Sequence, residues 1–333
     1  MIISRTPFRI SFVGGGTDLP SFYYKEDGQV LSTAIDKYVY VVVKEQLGIV
    51  EYKYRINWSQ AEFKNNIEDI EHPIVREALK LFEIDFPVEI TTFADIPAGT
   101  GMGSSSAFAV GLVQALFALK GQMATKYEIA DLASKIEVNI LQRTMGKQDH
   151  FASAYGGTNV LTFRRDERVN VEPVFTKPEI LETLKEHLLL FYTVVKRDAS
   201  EVLKAQVSNQ GDNFSKLKEM KSLVDPLKKQ FCSELNLADF GKILDKNWQL
   251  KKQLSSDISN SYIESIYQKA IDLGAYGGKL LGAGSGGFMM ILAPKNQHEA
   301  IKKAIGLYQL NFNFDSSGVR ITYYDQSKVN ELV

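Results

Sequence analysis

One stretch, residues 97–120 (PAGTGMGSSSAFAVGLVQALFALK), limits what this chain can fold into more than any other. Gly99, Gly101 and Gly103 alternate with small residues, so the backbone there can take positive φ and come close to a bulky anion. Ser104, Ser105 and Ser106 stand where an apolar, Ala-rich run of about four helical turns begins. The unpaired N–H groups and the positive dipole end of such a helix form a ready phosphate site, to which the hydroxyls add donors. A helix cap alone requires neither three alternating glycines nor a serine run. The spacing also departs from two common phosphate loops. The Walker pattern needs Gly-Lys-Ser/Thr, and no lysine follows Gly103. The dinucleotide fingerprint is G-x-G-x-x-G directly after a strand, whereas this is G-x-G-x-G behind Pro97.

Composition narrows the class. A chain of 333 residues with 44% hydrophobic content can bury a large core and suits one big or two closely packed domains. A net charge of −1, with both signs interspersed, offers neither a basic stripe for nucleic acid nor a polybasic arm for a membrane. The single cysteine, Cys232, excludes an internal disulfide and a cysteine metal cluster. No apolar run reaches the roughly 18 residues of a membrane span, and MIISRTPFRI has no signal-peptide core. A soluble, cytoplasmic protein is expected.

Residues 1–13 alternate like a strand and lead into GGGTDLP, a loop that presents Thr17 and Asp18. β-Branched and aromatic residues from Gln29 to Asn57 predict two or three strands, with Asp36 interrupting them as a substrate or structural carboxylate. Pro73–Leu81 reads as a helix and Phe86–Phe93 as the strand feeding the Gly-rich loop. Thr125 and Glu128 form a capping box, and Ile129, Leu132, Ile136 and Ile140 mark a buried helical face with Glu137 on its flank. Gly146 and Gly156-Gly157 bracket Lys147, Asp149 and His150. Residues 158–176 predict one or two strands. From about residue 177 helices dominate: PEILETLKEHL, ASEVLKAQVSNQ, FSKLKEMKSLVDPLKKQF and ADFGKILDKNWQLKKQLS. On the last of these, Lys246–Lys252 reads as a solvated face. A helix over 262–273 precedes GAYGGKLLGAGSGGFMMILAP, a strand, a Gly-rich turn and a strand. A helix near 297–309 and the strand VRITYYD follow. His187 and His298 are isolated.

P-x-G-x-G-M-G-S-S resembles the phosphate-binding signature of the GHMP kinases (galactokinase, homoserine kinase, mevalonate kinase and phosphomevalonate kinase). Two further family signatures resemble TPFRISFVGGGTD at 6–18 and GGKLLGAGSGGF at 277–288, in the expected order and over nearly the whole chain. The resemblance implies an α+β fold, with a ribosomal protein S5 domain 2-like N-terminal domain (1–177) and a ferredoxin-like C-terminal domain (178–333).

It also implies roles. ATP would lie on Pro97, Gly99, Gly101, Gly103, Ser104, Ser105 and Ser106. Ser105 and Glu137 would bind Mg²⁺, an ion that needs few protein ligands when phosphate oxygens and water complete its shell. Asp149 would deprotonate or polarise the acceptor hydroxyl, as the family's Asp does, although homoserine kinase lacks that Asp and the mechanism therefore varies across the fold. Arg9 would face the reacting hydroxyl. Gly16, Thr17, Asp18 and Lys147 would contact the substrate, Gly284 would join them from a turn that buttresses the phosphate loop, and the family often reaches the substrate from the helix that carries Lys246–Lys252. Within the family, GGGTDLPSFY, AIDKY, GKQDHFASAYGG and NWQLKKQLS resemble the sugar 1-kinases. The implied acceptor is a heptose 7-phosphate, phosphorylated at its anomeric hydroxyl on the way to surface glycans, with Arg5, Lys37, Lys147 and Arg197 as candidate partners of the distal phosphate. An unphosphorylated sugar of fucose or galactose type is the alternative acceptor, and a non-catalytic sugar and ATP sensor the alternative class. Oligomeric state stays open between monomer and homodimer.

Overall fold

The computed structural model describes residues 1–194 and 210–325. Arg197 and most of ASEVLKAQVSNQ lie outside the described residues. The larger sheet has nine strands, and its main path runs β12 (Arg320–Tyr324), β1 (Ile2–Val13), β2 (Gly28–Glu45), β5 (Val88–Ala94), β3 (Tyr54–Asn57), β4 (Ala61–Lys64). The region Gln29–Asn57 resolves into two strands, and β2 is 18 residues long. Its length lets it serve two neighbours on one side. Gly28–Thr33 pairs with β6 (Thr158–Phe163), which carries β7 (Val169–Pro173), and Val39–Glu45 pairs with β5. The first and last of these pairings leave one edge of β2 open in the middle, between β5 and β6, where β11 (Phe314–Asp315) pairs with Ala34–Ile35.

The Ser104–Leu119 helix packs on β1 and β2 from one side and on the helices Lys126–Ser134 and Gln148–Tyr155 from the other. Enclosed on both sides, it is apolar around most of its circumference, with Ala107, Val110, Leu112, Val113 and Leu116 buried. It sits close to the sheet at Gly111, whose carbonyl accepts the Ser4 hydroxyl at 2.7 Å.

The Thr125–Glu128 capping box forms as expected. The face predicted behind it does not continue. The helix Lys126–Ser134 passes into one π-helical turn, Lys135–Ile140, which advances the register by a residue. Ile140 is therefore 43% exposed, and Glu137, read as a flank residue, is fully buried.

The second half contains a three-stranded sheet ordered β8 (Leu188–Tyr192), β10 (Phe288–Leu292), β9 (Gly277–Leu280). β8 was not foreseen, because LLLFY follows the helix Pro178–His187 without a turn signal and its apolar run lacks alternation. FSKLKEMKSLVDPLKKQF is two helices, Gln210–Ser222 and Val224–Cys232, and Leu237–Lys252 follows as a third. VRITYYD, read as closing the C-terminal domain, instead returns to the first sheet as β12 and pairs with Ile2–Arg5 of β1. Polar ties also cross between the halves. Lys279 Nζ donates to the carbonyls of Ser11 (2.8 Å) and Phe12 (3.0 Å), and Asn247 Oδ1 accepts from Gly14 N at 3.3 Å.

Candidate active site

A cleft of about 920 Å³ lies where the Gly-rich loop, the 14–18 loop, the 143–149 segment and the 282–286 turn converge. Its phosphate end is made of backbone. Gly99, Gly101 and Gly103 have φ of 77°, 77° and 80°, a left-handed repeat that L side chains rarely adopt. The helix ladder starts with Ala107 N donating to Gly103 O at 2.9 Å, so the N–H groups of the first turn face forward into the cleft. All seven residues assigned to ATP line this end. The turn after β9 holds the loop from behind. Gly101 and Gly282 approach so closely that a Cβ on Gly282 would sit 2.4 Å from Gly101 Cα.

Beside the first turn, Ser105 Oγ donates to Glu137 Oε1. Arg143 Nη1 donates to both, at 2.9 Å to Ser105 Oγ and 2.6 Å to Glu137 Oε1. His150 Nε2 meets Glu137 Oε2 at 2.8 Å. Burial would raise the Glu137 carboxyl, but His150, Ser105 and Arg143 outweigh it and hold the group below the usual range. The π-turn is what aims this carboxylate at the serine. Arg143 and His150 were not assigned here from sequence. His150 stood next to Asp149 in the bracketed segment, while Arg143 gave no signal.

The third corner holds the pair Arg9–Asp149 and Asp18. Arg9 grips Asp149 with two hydrogen bonds, Nε to Oδ1 at 2.7 Å and Nη2 to Oδ2 at 2.8 Å, and donates its Nη1 to Gly101 O at 2.8 Å. The same guanidinium thus fixes both the candidate base and the phosphate loop. Gly103 makes room for Asp149, whose Oδ2 lies 3.0 Å from where a Cβ would stand. Asp18 is buried and accepts from Gly16 N at 3.0 Å and Gln148 N at 3.3 Å. Burial, with the charge of Asp149 adding, pushes its carboxyl up to about 6. Gly16, Asp18 and Gly284 line the cleft.

Thr17 and Lys147, also assigned to substrate, are not among the lining residues. Thr17 Oγ1 faces the base of its own loop, within hydrogen-bond reach of Gly14 O at 2.8 Å and Gln29 O at 2.9 Å. Lys147 turns away to Glu167, donating to its carbonyl at 3.3 Å. Two other basic candidates are engaged elsewhere. Arg5 stacks on Tyr38 at 4.0 Å, and Lys37 pairs with Asp36 at 3.0 Å. Asp36 is structural, accepting Asn313 N and Nδ2 at 2.7 and 2.8 Å. His187 and His298 bond backbone carbonyls. Lys251, read as part of a solvated helix face, is buried and lines the cleft together with Lys279.

The far end is aromatic. Trp58 meets His72 edge-on at 4.8 Å, and His72 packs on Phe108 at 4.9 Å. Buried Glu62 organises this wall, accepting Trp58 Nε1 at 2.9 Å and His72 N at 3.1 Å.

Residues 73–157 match the model of the GHMP kinases N terminal domain and residues 227–308 that of GHMP kinases C terminal. The chain is 32% identical to D-glycero-alpha-D-manno-heptose 7-phosphate kinase of Campylobacter jejuni, over 96% of this chain and 98% of that one. It is 24% identical to a galactokinase of Pyrococcus furiosus over 91% and 92% of the two chains. A crystal structure described as a D-glycero-D-manno-heptose 1-phosphate kinase from Bacteroides thetaiotaomicron shares the fold, with a TM-score of 0.80 and 22% identity over 98% of this chain and 100% of that one. The chain belongs to the GHMP kinase family and, with its relatives, is an ATP-dependent phosphotransferase acting on a sugar. Its relatives set it among the sugar kinases of that family. No helix among the described residues is long and apolar enough to cross a membrane.

Proposed function

We propose that the protein transfers the γ-phosphoryl group of ATP to the anomeric hydroxyl of D-glycero-D-manno-heptose 7-phosphate, giving the 1,7-bisphosphate used to build nucleotide-activated heptose for surface glycans. The single observation that carries the reading is the Arg9–Asp149 pair, locked at 2.7 and 2.8 Å beside the phosphate loop. The acceptor follows from the full-length likeness to the Campylobacter heptose 7-phosphate kinase.

In this reading the polyphosphate lies across Gly99–Ser106, and the forward-facing N–H groups meet its charge. The aromatic wall of Trp58, His72 and Phe108 takes the base. Arg9 aims the Asp149 carboxylate, whose remaining lone pairs accept the acceptor hydroxyl and receive its proton as the new O–P bond forms. Asp18 and the 14–16 loop seat the ring. Positioning and charge, rather than covalent chemistry, then carry the transfer.

A hydroxyl and a buried carboxylate already in hydrogen-bond contact suit Mg²⁺, so Ser105 and Glu137 would hold it. When bound it supplies charge neutralisation on the phosphates. His150 keeps Glu137 oriented. Arg143 shares both oxygens and has to give them up to the ion.

The test is ADP release with heptose 7-phosphate, mannose, fucose and galactose as acceptors. Turnover of the heptose phosphate alone supports the reading. Preference for an unphosphorylated sugar replaces the acceptor, and ATP and sugar binding without turnover makes the protein a sensor.

A further inference from the structure

The helix Leu237–Lys252 carries Lys242, Lys246, Lys251 and Lys252. Three of them pair at the surface, Lys242 with Asp239 at 3.0 Å, Lys246 with Glu219 at 2.8 Å and Lys252 with Glu264 at 2.7 Å. Lys251 alone turns inward, on the face that buries Phe240, Leu244, Asn247 and Trp248. It is 8% exposed, lines the cleft, and donates to one acceptor among the described residues, the Gly282 carbonyl. An ammonium has three N–H donors, so two remain for a ligand.

Of the other cations of the cleft, Lys279 spends two of its three N–H groups and Arg9 three of five, while Arg143, about a third exposed, is tied to the Ser105–Glu137 corner. Arg9 holds Asp149 and Gly101 O, Arg143 holds Ser105 and Glu137, and Lys279 holds the carbonyls of Ser11 and Phe12. Around Lys251, Arg9 faces two carboxylates, Asp18 and Asp149, and Asp149 is already gripped by Arg9; burial, with Lys251 and Arg9 nearby, pushes the Lys279 amine well down. A buried cation with unspent donors is costly unless an acceptor or an anion joins it. Burial and the nearby Arg9 push the Lys251 amine down to about 8. The basic residues nominated from sequence do not fill this role. Arg5, Lys37 and Lys147 are engaged away from the cleft, and Arg197 lies outside the described residues.

We propose that Lys251 is the residue that recognises the acceptor's own phosphate, its amine donating to the phosphate oxygens of the bound sugar phosphate. The inference deepens the sugar-phosphate reading above and rests on it. Lys251 is then what makes the enzyme prefer a phosphorylated sugar to its unphosphorylated parent.

Lys251→Met keeps the length and apolar stem and removes the charge. Steady-state kinetics with heptose 7-phosphate and with the parent heptose, and calorimetric binding of both sugars in the presence of a non-hydrolysable ATP analogue, compare the variant with the wild type. The expected result is a rise of about 30-fold in KM and Kd for heptose 7-phosphate, with the parent heptose within about threefold and the KM for ATP within about twofold. Lys251→Arg is expected to recover part of the lost affinity. Thermal melting of both variants checks that they fold.

An equal rise for both sugars overturns the inference, since the amine then serves the ring. A fall in kcat with KM unchanged does so too, assigning Lys251 to the phosphoryl group in transfer. A rise in the KM for ATP reduces it to a strut behind the Gly282 turn. If the wild type binds heptose 7-phosphate without turning it over, the kinase reading fails while the binding comparison still decides Lys251. If the wild type binds neither sugar, both readings fall.

Discussion

At the end of the cleft proposed to hold the phosphates, eight consecutive residues, Gly99–Ser106, present backbone groups whose geometry is set by three positive-φ glycines. At the acceptor end, Arg9, Asp18, Asp149, Lys251 and Lys279 come from five separate segments of both halves, and the work is done by side chains. The first end tolerates little change because its path is main chain held at positive φ by three glycines. The second can be retuned one side chain at a time, since its groups come from separate segments and only Arg9 and Asp149 hold each other. A nucleotide common to a family suits the first construction, and an acceptor that differs among relatives suits the second.

Four changes would break or sharpen that contrast. The largest effect is expected at the acceptor end. Asp149→Asn should lower kcat about 10²-fold or more, checked by initial-rate ADP release with heptose 7-phosphate, and a change smaller than about threefold removes Asp149 from proton transfer.

Next is the aromatic wall. Burial pushes His72 down to about 4 against the opposing pull of Glu62, while an unfolded histidine titrates near 6.5. The neutral ring is the folded form, so its contribution is complete above about pH 6.5 and is lost as pH falls towards about 4. Urea unfolding at about pH 7 and about pH 4 should show His72→Asn, which keeps a capping acceptor, losing on the order of 2 kcal/mol less than wild type between the two. Equal losses would detach the histidine from acid stability.

At the phosphate end, Gly282→Ala puts a Cβ 2.4 Å from Gly101 Cα. The KM for ATP is expected to rise about tenfold and the acceptor KM clearly less, because the clash strikes the loop directly and reaches Arg9 and Lys251 only through the Gly101 and Gly282 carbonyls. If both constants rise together, the two ends are not separable. The smallest effect belongs to Lys37→Ala, which should move the acceptor KM by less than about twofold, since that amine is spent on a surface pair with Asp36.

Local signals carried much of this molecule. The helix Pro73–Leu81 and the Thr125–Glu128 capping box are where turn chemistry and periodicity put them. The Gly99–Ser106 loop faces the cleft as its glycines implied. The failures have physical causes. Ile140 and Glu137 were misplaced because a π-turn changes the helical period without leaving a residue signature. β8 was missed because LLLFY, buried at four of five positions, shows no alternation. Lys251 was read as solvated because its neighbours are charged and a helix face is assigned by majority. Lys147 was drawn to substrate by its neighbours, yet its side chain leaves in the opposite direction, to Glu167.

The sequence by itself determined the phosphate loop, the helix behind it and the family, because these are properties of contiguous residues: glycine φ, a helix start and an apolar run. Tertiary structure alone decided which charges share the cleft. Arg9 and Asp149 are 140 residues apart in the chain and 2.7 Å apart in space. A buried charge has to find its counter-charge wherever the packed halves bring one within reach, and no local pattern records that distance.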